Sequence, residues 1–377
     1  MKFILAPDSF KESMSAQLVT RVMRSAIESI MEGAEIIELP VGDGGEGTLD
    51  VLAYAMDGRL HEAKVSGPLG EPVTAKYGIS GDGKVAIVEM AQASGLQLVA
   101  PESRNPLVTT SYGTGEVILQ ALGHGVSQLL ITIGGSATND CGAGMLQALG
   151  AYVLDAGGQP VGPGGRELGR AAAVDLSGLD ARLRSVSIRV ACDVTNPLVG
   201  PRGASRVFGP QKGATEATAN ELDAALTHFA DVIASNTGHR LHDIPGAGAA
   251  GGVGAALMLC GGTLEPGIEL VLDMMGFDRQ LPGTDYVLTG EGRIDRQTPD
   301  GKVIAGIVKR ARAAGVPVVA FAGSLQPGYE QLYDEGLQAA FSITPTPTTL
   351  ADALEQGETN LFHTVSNAIR LIRSVQS

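Results

Sequence analysis

The sequence predicts an α/β protein in which both chain ends form a doubly wound parallel sheet and a second, mixed-sheet α/β domain is inserted between them. Three observations support this prediction. Strand and helix patterns alternate at both ends of the chain, as they do in doubly wound folds. Between residues 60 and 90 the pattern changes to polar–apolar alternation with Gly and Pro breaks, which is typical of an antiparallel meander. The 377 residues are enough for two domains that each bury a core.

The first elements follow from short apolar runs and the residues that flank them. KFILA at residues 2–6 reads as a buried strand, and the helical spacing of SAQLVTRVMRSAIESIM begins with Ser15 as a plausible N-cap. EIIELPV at 35–41 predicts a second strand, and a helix follows from Thr48 through Met56.

Beyond the meander, strand and helix patterns resume. A Gly/Ala-rich segment at 246–262 predicts a helix that packs very closely against a neighbour. The other predicted helices are 113–125, 143–151, 215–237, 302–315 and one at the C-terminus, and the other predicted strands are 128–135, 187–194, 285–292, 317–323 and 339–343.

The change of pattern sets the expected domain boundaries. We expect the first domain to comprise residues 1–58 and 283–377 and the inserted domain to comprise residues 59–282, with the segment 115–150 assignable to either. Because ligand sites favour domain interfaces, we expect the active site in the cleft between the two domains.

Charge and cysteine content exclude several classes of protein. The net charge of −14 argues against nucleic acid or an anionic membrane as the main partner, although a local cluster of cations can still bind a small anion. Cys141, Cys192 and Cys260 are too few and too scattered for a disulfide framework or a cysteine zinc site. The sequence shows neither a signal-peptide pattern nor a run of about 20 apolar residues. These features predict a cytoplasmic protein without a membrane partner.

Polar clusters recur directly after predicted strands. In open α/β sheets, ligands bind outside the carboxyl ends of the strands. Several of these clusters combine carboxylate, amide and hydroxyl groups, so helix capping alone does not explain them together. The clusters are PDSFKES (7–13), GDGGEG (42–47), GGSATND (134–140), CDVTNP (192–197) and TGEGRID (289–295).

Several catalytic classes have weak support in this sequence. The six histidines lie in unremarkable settings without metal-ligand spacing, and GxSxG is absent. GAGAAG at 246–251 matches a dinucleotide fingerprint, but it follows HDIP rather than a good strand pattern. Close packing of a Gly/Ala helix is the preferred interpretation of that segment, and an anion-binding helix N-terminus is another.

Phosphoryl transfer fits the clusters better. It requires glycine-rich backbone near phosphates, cations, carboxylates for Mg²⁺ and a base near the acceptor hydroxyl. Walker A and protein-kinase signatures are absent, so neither common kinase fold is indicated. The candidate cations are Lys11, Lys212, Arg293 and Lys302, and the candidate carboxylates are Asp8, Asp43, Asp140, Asp193, Glu291 and Asp295.

The clusters, in this order, resemble the bacterial glycerate kinase family of the first type, and the resemblance covers essentially the whole chain. It implies a flavodoxin-like domain from both chain ends and a middle domain of restriction-enzyme-like topology. It also implies Mg²⁺ and ATP-dependent phosphorylation of D-glycerate, with 2-phosphoglycerate as the usual product. The matching blocks include APDSFKESMSA, VGDGGEGT, SGPLGEPV, VEMAQASGL, TTSYGTGE, IGGSATNDCGAGM, VACDVTNPLVGPRGAS, FGPQKGA, PGAGAAGGVGAAL and TGEGRID.

The site hypothesis assigns these residues to roles. Asp8, Ser9 and Lys11 end the first strand and begin a helix, a place suited to holding glycerate or the transferred phosphoryl group. Asp193 and Asp295 are candidate metal ligands, and the general base is sought among Asp140, Asp193 and Asp295. The predicted catalytic residues are Asp8, Lys11, Asp140, Asp193 and Asp295. The predicted binding residues are Ser9, Asp43, Gly134, Gly135, Ser136, Asn139, Asn196, Lys212, Gly290, Glu291 and Arg293.

One residue departs from the family pattern, since Cys141 occupies the position after Asn-Asp where we expect glycine. A Cβ is costly where φ is positive. We therefore expect ordinary helix N-terminal geometry at this position, rather than a reshaped loop, and a packing role for the thiol.

The residues alone, without the family resemblance, are compatible with alternative functions. They are phosphorylation at the 3-hydroxyl or of a related hydroxy acid, an NAD-dependent dehydrogenase based on GAGAAG, and a non-catalytic carboxylate-binding protein. A monomer or a homodimer is expected.

Overall fold

The computed structural model describes residues 1–42, 44, 45, 47–296, 298 and 303–376. Its strands, in chain order, are β1 (Lys2–Leu5), β2 (Glu35–Glu38), β3 (Arg59–Ser66), β4 (Pro72–Ile79), β5 (Val85–Glu89), β6 (Gln128–Thr132), β7 (Tyr152–Asp155), β8 (Ala171–Asp175), β9 (Ser187–Ala191), β10 (Thr263–Glu265), β11 (Tyr286–Ile294), β12 (Val318–Leu325) and β13 (Leu337–Ser342).

The α-helices fall between these strands as the alternating pattern predicts. In chain order they are α1 (Ala16–Ile30), α2 (Thr48–Ala55), α3 (Ala91–Ser94), α4 (Tyr112–Leu122), α5 (Ala143–Ala148), α6 (Ala204–Phe208), α7 (Glu216–Thr237), α8 (Val253–Leu259), α9 (Gly267–Met274), α10 (Phe277–Gln280), α11 (Val303–Ala313), α12 (Gln331–Glu335), α13 (Leu350–Glu355) and α14 (Gly357–Gln376).

The chain forms two units. Unit 1 comprises residues 1–43 and 268–377, and unit 2 comprises residues 44–267. Residues 44–58, assigned to the first domain from sequence, lie in unit 2 because α2 packs on β3, β4 and β5. Residues 268–282 lie in unit 1, where Arg310 of α11 forms ion pairs with carboxylates of α9 and α10.

Unit 1 contains the parallel sheet that was predicted from the chain ends. Its strand order is β13-β12-β11-β1-β2, and every pairing is parallel. Numbered within the unit, this is the flavodoxin-like order 2-1-3-4-5. The helix predicted after Ser15 is α1, and the Ser15 hydroxyl accepts the Leu18 N–H at 3.3 Å, which confirms the N-cap.

One core cluster of unit 1 lies on the face of the sheet that α1 and α14 cover. Phe3, Leu5 and Phe321 from the strands pack with Met23 of α1 and Leu361 of α14. All five side chains are buried, so the apolar stripe of each helix is matched to the apolar face of the sheet.

Unit 2 contains a mixed six-stranded sheet in the order β10-β9-β6-β5-β4-β3. The β3–β4 and β4–β5 pairings are antiparallel, which confirms the predicted meander, and the remaining pairings are parallel. The predicted helix at 246–262 is shorter than expected, because α8 begins only at Val253 and Ala250 and Gly251 have left-handed backbone angles. The mixed α/β fold class is confirmed.

Candidate active site

A cavity of about 780 Å³ lies in unit 1 at the carboxyl ends of the parallel strands. Ligands of flavodoxin-like folds bind at this edge of the sheet. Here the segments that follow β1, β12 and β13 border the cavity together with the last part of β11. The predicted site residues that line it are Asp8, Ser9, Lys11, Glu291 and Arg293, and further polar lining comes from Glu12, Ser13, Ser324, Gln326, Thr344, Thr348 and Thr349.

The segment from Asp8 to Met14 is a turn rather than a helix start, so that part of the prediction is wrong. β1 ends at Leu5, and α1 begins at Ala16. Between them, Phe10 N–H donates to Met14 O at 2.8 Å and closes a tight loop. Asp8 N–H donates to Gly290 O at 2.8 Å, which fixes this segment beside the last part of β11. The exposed side chain of Lys11 borders the cavity.

The carboxyl end of β11 carries a linked set of polar side chains. Thr298 Oγ1 donates to Glu291 Oε1 at 3.0 Å and accepts from Asp295 N–H at 3.1 Å. Arg293 Nε lies 3.3 Å from Asp295 Oδ2, yet its side chain stays 68% exposed. Gly290 is within β11, where its carbonyl accepts from Asp8, so it belongs to the sheet rather than to an open phosphate loop. The arrangement presents a guanidinium at the cavity and holds two carboxylates beside it.

In unit 2, residues 134–140 form a loop, here called the glycine loop, directly after β6 and Ile133. Gly134 and Gly135 are exposed, whereas the five residues that follow are buried. Gly134 lies against Gly45 of the GDGGEG segment, with a distance of 3.4 Å from an added Cβ to Gly45 Cα. The loop therefore offers exposed backbone on one side and polar side chains to the interior on the other.

Lys212 holds the glycine loop from the interior. Its Nζ donates to Ser136 Oγ at 2.8 Å and to Thr138 O at 2.6 Å, and the residue is 1% exposed. Burial lowers the pKa of the Lys212 ammonium to about 7, and the charge of Asp140 acts in the opposite direction. The predicted contact of Lys212 with phosphate stays a prediction, because the structure shows its ammonium group engaged by the protein itself.

Asp140 and Asn139 are also interior residues. Asp140, 1% exposed, accepts hydrogen bonds from the Ser111 N–H and hydroxyl at 2.8 Å each, and from the N–H groups of Gly142 and Gly144. Burial raises the pKa of the Asp140 carboxyl, and these donors oppose that shift. Asn139 Nδ2 donates to Ser205 Oγ at 2.8 Å. The predicted ligand contacts of both residues remain untested.

Cys141 does not have the ordinary helix N-terminal geometry that the sequence favoured. Its φ is +52°, and the N-cap of α5 is the following residue, Gly142. A left-handed backbone is unfavourable for a residue with a Cβ. The thiol is 1% exposed, and burial together with the neighbouring Asp140 raises its pKa. A packing role agrees with this environment.

Asp193 and Asn196 follow β9, at the same edge of the unit 2 sheet as the glycine loop. Asp193 is exposed, and its Oδ1 accepts the Gly267 N–H at 2.7 Å. Asn196 Nδ2 donates to Arg202 O at 2.8 Å. Asp193 is thus an accessible carboxylate in unit 2, in contrast to Asp140.

The GAGAAG segment packs against the glycine loop. Residues 239–248 form coil and turns, so the fingerprint does not follow a strand. A Cβ at Gly251 would collide with the Thr138 carbonyl oxygen, and Gly251 O accepts the Cys141 N–H at 2.9 Å. The segment supports the loop, as the close-packing interpretation predicts.

The sequence interpretation missed two buried residues. Ser111, in the block TTSYGTGE, binds Asp140, and Glu89, in VEMAQASGL, ends β5 at 2% exposure. Glu89 Oε2 accepts the Leu49 N–H of α2 at 3.2 Å, and Oε1 has no hydrogen-bond partner among the described residues. Burial raises the pKa of the carboxyl. A carboxylate at the end of an apolar strand was the signal that could have singled out Glu89.

Predicted residues Asp43 and Lys302 lie outside the described residues.

The described residues contain neither a ready-made metal-binding cluster nor a membrane-spanning helix. No cluster of three or more His, Cys, Asp or Glu side chains suited to a metal is found among them. No helix in this part of the chain is long and apolar enough to cross a membrane. Mg²⁺ sites are commonly built from one or two carboxylates plus substrate phosphates, so the first result leaves such a site open.

Comparison with known proteins identifies the family. The model of the Glycerate kinase family matches residues 3–373. A Glycerate kinase of Halalkalibacterium halodurans is 49% identical over 365 residues, covering 97% of this chain and 96% of that protein. The Glycerate 2-kinase of Escherichia coli K12 is 50% identical over 368 residues, with 97% of both chains covered.

A solved structure agrees with this result. A crystal structure from Salmonella typhimurium LT2, whose chain is assigned as glycerate kinase 2, superposes with a TM-score of 0.92 at 47% identity and covers 100% of this chain and 99% of that one. These matches confirm the predicted family and the prediction that the chain is a kinase. The chain belongs to the glycerate kinase family.

Proposed function

We propose that this chain transfers the γ-phosphoryl group of ATP to the 2-hydroxyl group of D-glycerate and releases 2-phosphoglycerate and ADP. The observation that carries the proposal is the polar cavity of unit 1, in a chain that belongs to the glycerate kinase family. Its size is in the range of about 300–1,000 Å³ that small-molecule sites occupy. The name of the Escherichia coli relative, Glycerate 2-kinase, supports the 2-hydroxyl as acceptor.

The cavity supplies the charges that an anionic substrate requires. Lys11 and Arg293 are exposed at its wall and would bind the glycerate carboxylate or the transferred phosphoryl group. Arg suits bidentate recognition of such planar anions. Ser9 would donate its hydroxyl to the same ligand. Neutralising the transferred group in this way stabilises the transition state, where charge spreads over the phosphoryl oxygens.

Carboxylates would serve the base and the metal. Asp193 and Asp295 are the carboxylates we assign to proton abstraction from the hydroxyl group or to Mg²⁺, because both keep solvent access while Asp140 is saturated by donors. Asp8, Glu12 and Glu291 line the cavity and fit the oxygen donors that Mg²⁺ prefers. When bound, the ion would offset negative charge on the phosphates.

The glycine loop would contribute backbone. Gly134 and Gly135 are exposed after β6, and their N–H groups are of the kind that bind phosphate or carboxylate oxygens in glycine-rich loops. We propose that this backbone, rather than the side chains of residues 136–140, meets the ligand.

A coupled ADP-release assay tests the proposal. With D-glycerate, ATP and Mg²⁺ we expect steady turnover, which EDTA abolishes and Mg²⁺ restores. L-glycerate, glycolate and lactate test for a related hydroxy-acid substrate, and a mock preparation from cells that lack this chain controls for contaminating kinases. ADP release with none of these acids would contradict the proposed function.

A further inference from the structure

The glycine loop is attached to the interior of unit 2 along its length. Thr109 Oγ1 donates to Ala137 O at 2.9 Å, and Ala137 N–H donates to Ser94 O at 2.9 Å. Asn139 and Asp140 bind Ser205 and Ser111, as described above. The backbone of the exposed turn is held by Leu96 N–H, which donates to Gly135 O at 2.8 Å, and by a β-bridge between Gly95 and Ser136. A charged group, the Lys212 ammonium, adds contacts to the Ser136 hydroxyl and the Thr138 carbonyl.

The backbone around Lys212 directs its side chain inward. Pro210–Lys212 is a short 3₁₀ turn in the block FGPQKGA, and Lys212 N–H donates to Gly209 O at 2.9 Å. Gly213 follows with φ of +95°, and a Cβ there would collide with the Arg104 carbonyl oxygen. This turn, which needs glycine at its end, fixes the position from which Lys212 reaches the loop.

Burial of the Lys212 ammonium group is unfavourable for the stability of the fold. A fully buried Lys loses its hydration, and among the described residues no carboxylate forms an ion pair with Lys212. The charged residue that acts on it is Asp140, which raises its pKa and is bound by the Ser111 donors rather than by Lys212. An apolar side chain of similar volume is often neutral or favourable for stability in place of a buried charge. Stability alone therefore gives no reason for Lys at this position.

We propose that Lys212 is a positioning residue for the reaction: its buried ammonium group holds Ser136 and Thr138 so that the exposed backbone of Gly134 and Gly135 keeps one conformation, without touching the substrate. The proposal rests on the proposed function for its kinetic part. Its structural part concerns the loop alone and is independent of activity.

The kinetic test compares Lys212→Met with Lys84→Met, whose parent side chain is 72% exposed. We expect Lys212→Met to fold and to lower kcat about ten- to hundredfold, the range for losing a hydrogen bond to a charged group. The KM for D-glycerate should change less than about threefold, since Lys212 does not contact substrate. Ser136→Ala removes one acceptor and should lower kcat by a smaller factor.

The pH profile separates this role from a merely structural one. Above pH 7 the Lys212 ammonium loses its proton, and the neutral amine that remains is a weaker donor. Wild-type kcat should fall severalfold on this alkaline side, and Lys212→Met should lack that limb. An unchanged pH profile with kcat within twofold of wild type would overturn the proposal. A tenfold or larger rise in KM with unchanged kcat would instead assign Lys212 to substrate contact.

Hydrogen exchange tests the loop without reference to activity. Amide exchange in a peptide spanning residues 133–140 should be faster in Lys212→Met than in wild type, and unchanged in Lys84→Met. Equal exchange in all three proteins would overturn the positioning role even if the chain proved to have no glycerate kinase activity. Loss of wild-type activity alone would count against the proposed function and not against this result.

Discussion

The cavity of unit 1 and the glycine loop of unit 2 carry similar polar residues in opposite environments. At the cavity, Lys11 is exposed and the side chain of Arg293 is 68% exposed to solvent. At the loop, Asp140 and Lys212 are each 1% exposed and bound to other protein groups. Lys11 and Asp140 both lie in segments that follow a strand at a sheet edge, so their position along the chain does not distinguish them. Burial does: the first set is available to ligand, and the second shapes backbone.

The largest effect is expected at an accessible carboxylate. Asp193→Asn should lower kcat by about 10²–10⁴-fold, the usual contribution of a positioned acid or base, with no change in the urea midpoint of unfolding. Asp243→Asn in the same unit is the matched control, because the Asp243 side chain is 77% exposed in its ion pair with Arg240. This control variant should change neither kcat nor the urea midpoint. Near-normal kcat in folded Asp193→Asn would remove that residue from the chemistry.

A buried carboxylate should respond in stability instead. Asp140→Asn keeps one acceptor oxygen and turns an amide N–H₂ towards the donors of Ser111, Gly142 and Gly144. We expect a loss of about 3 kcal/mol in the free energy of unfolding, because several buried donors lose their partner. Urea unfolding measures it, with Asp243→Asn again as control. A loss below about 0.5 kcal/mol would mean that Asp140 does not anchor the loop.

Exposed cations of the cavity should affect binding. Lys11→Met and Arg293→Met each remove a charged donor, and we expect KM for D-glycerate or ATP to rise about 10- to 100-fold without loss of stability. Arg370→Met, an exposed position on α14 of the same unit, serves as the control. Unchanged KM for both substrates in both cavity variants would show that this cavity is not the binding site.

The buried Lys212 predicts a pH dependence of stability. Its pKa is about 7 in the folded protein and about 10.5 when unfolded, so the unfolded state binds the extra proton between these values. The free energy of unfolding of wild type, relative to Lys212→Met, should therefore rise with pH in this window, by at most about 1.4 kcal/mol per pH unit. Urea unfolding at pH 7, 8 and 9 measures the difference. A flat or falling difference would contradict burial of the charge.

The smallest effect concerns two of the three cysteines, Cys141 and Cys260. Cys141 has φ of +52°, whereas Cys260 at the C-cap of α8 has φ of −79°. Cys141→Gly should be more stable than Cys141→Ala by about 1 kcal/mol, because a left-handed backbone is unfavourable for Ala. At Cys260 the order should reverse. If the Ala variant were the more stable one at both positions, the left-handed geometry at Cys141 would be contradicted.

Much of the fold followed from local patterns. The apolar runs, the Ser15 cap and the alternating residues of β3 to β5 are local signals, and the elements that they predicted, β1, α1 and the antiparallel meander, were confirmed. The α8 region was overestimated, because Ala and Gly favour a helix by composition while contacts with the glycine loop impose left-handed angles there.

The candidate site was only partly readable from sequence. Clusters after strands located Asp8, Lys11 and Arg293 at the cavity. The same signal could not tell Asp140 from Asp193, since burial depends on Ser111 and other partners distant in sequence. For the same reason Lys212 looked like an open cation, although its ammonium group is enclosed by the protein.

Product analysis by ³¹P NMR tests the central claim most directly. Wild-type protein is incubated with D-glycerate, ATP and Mg²⁺, and the products are compared with authentic 2-phosphoglycerate and 3-phosphoglycerate. The account predicts ADP and 2-phosphoglycerate in equal amounts. Formation of 3-phosphoglycerate, or ADP without any phosphoglycerate, would contradict it.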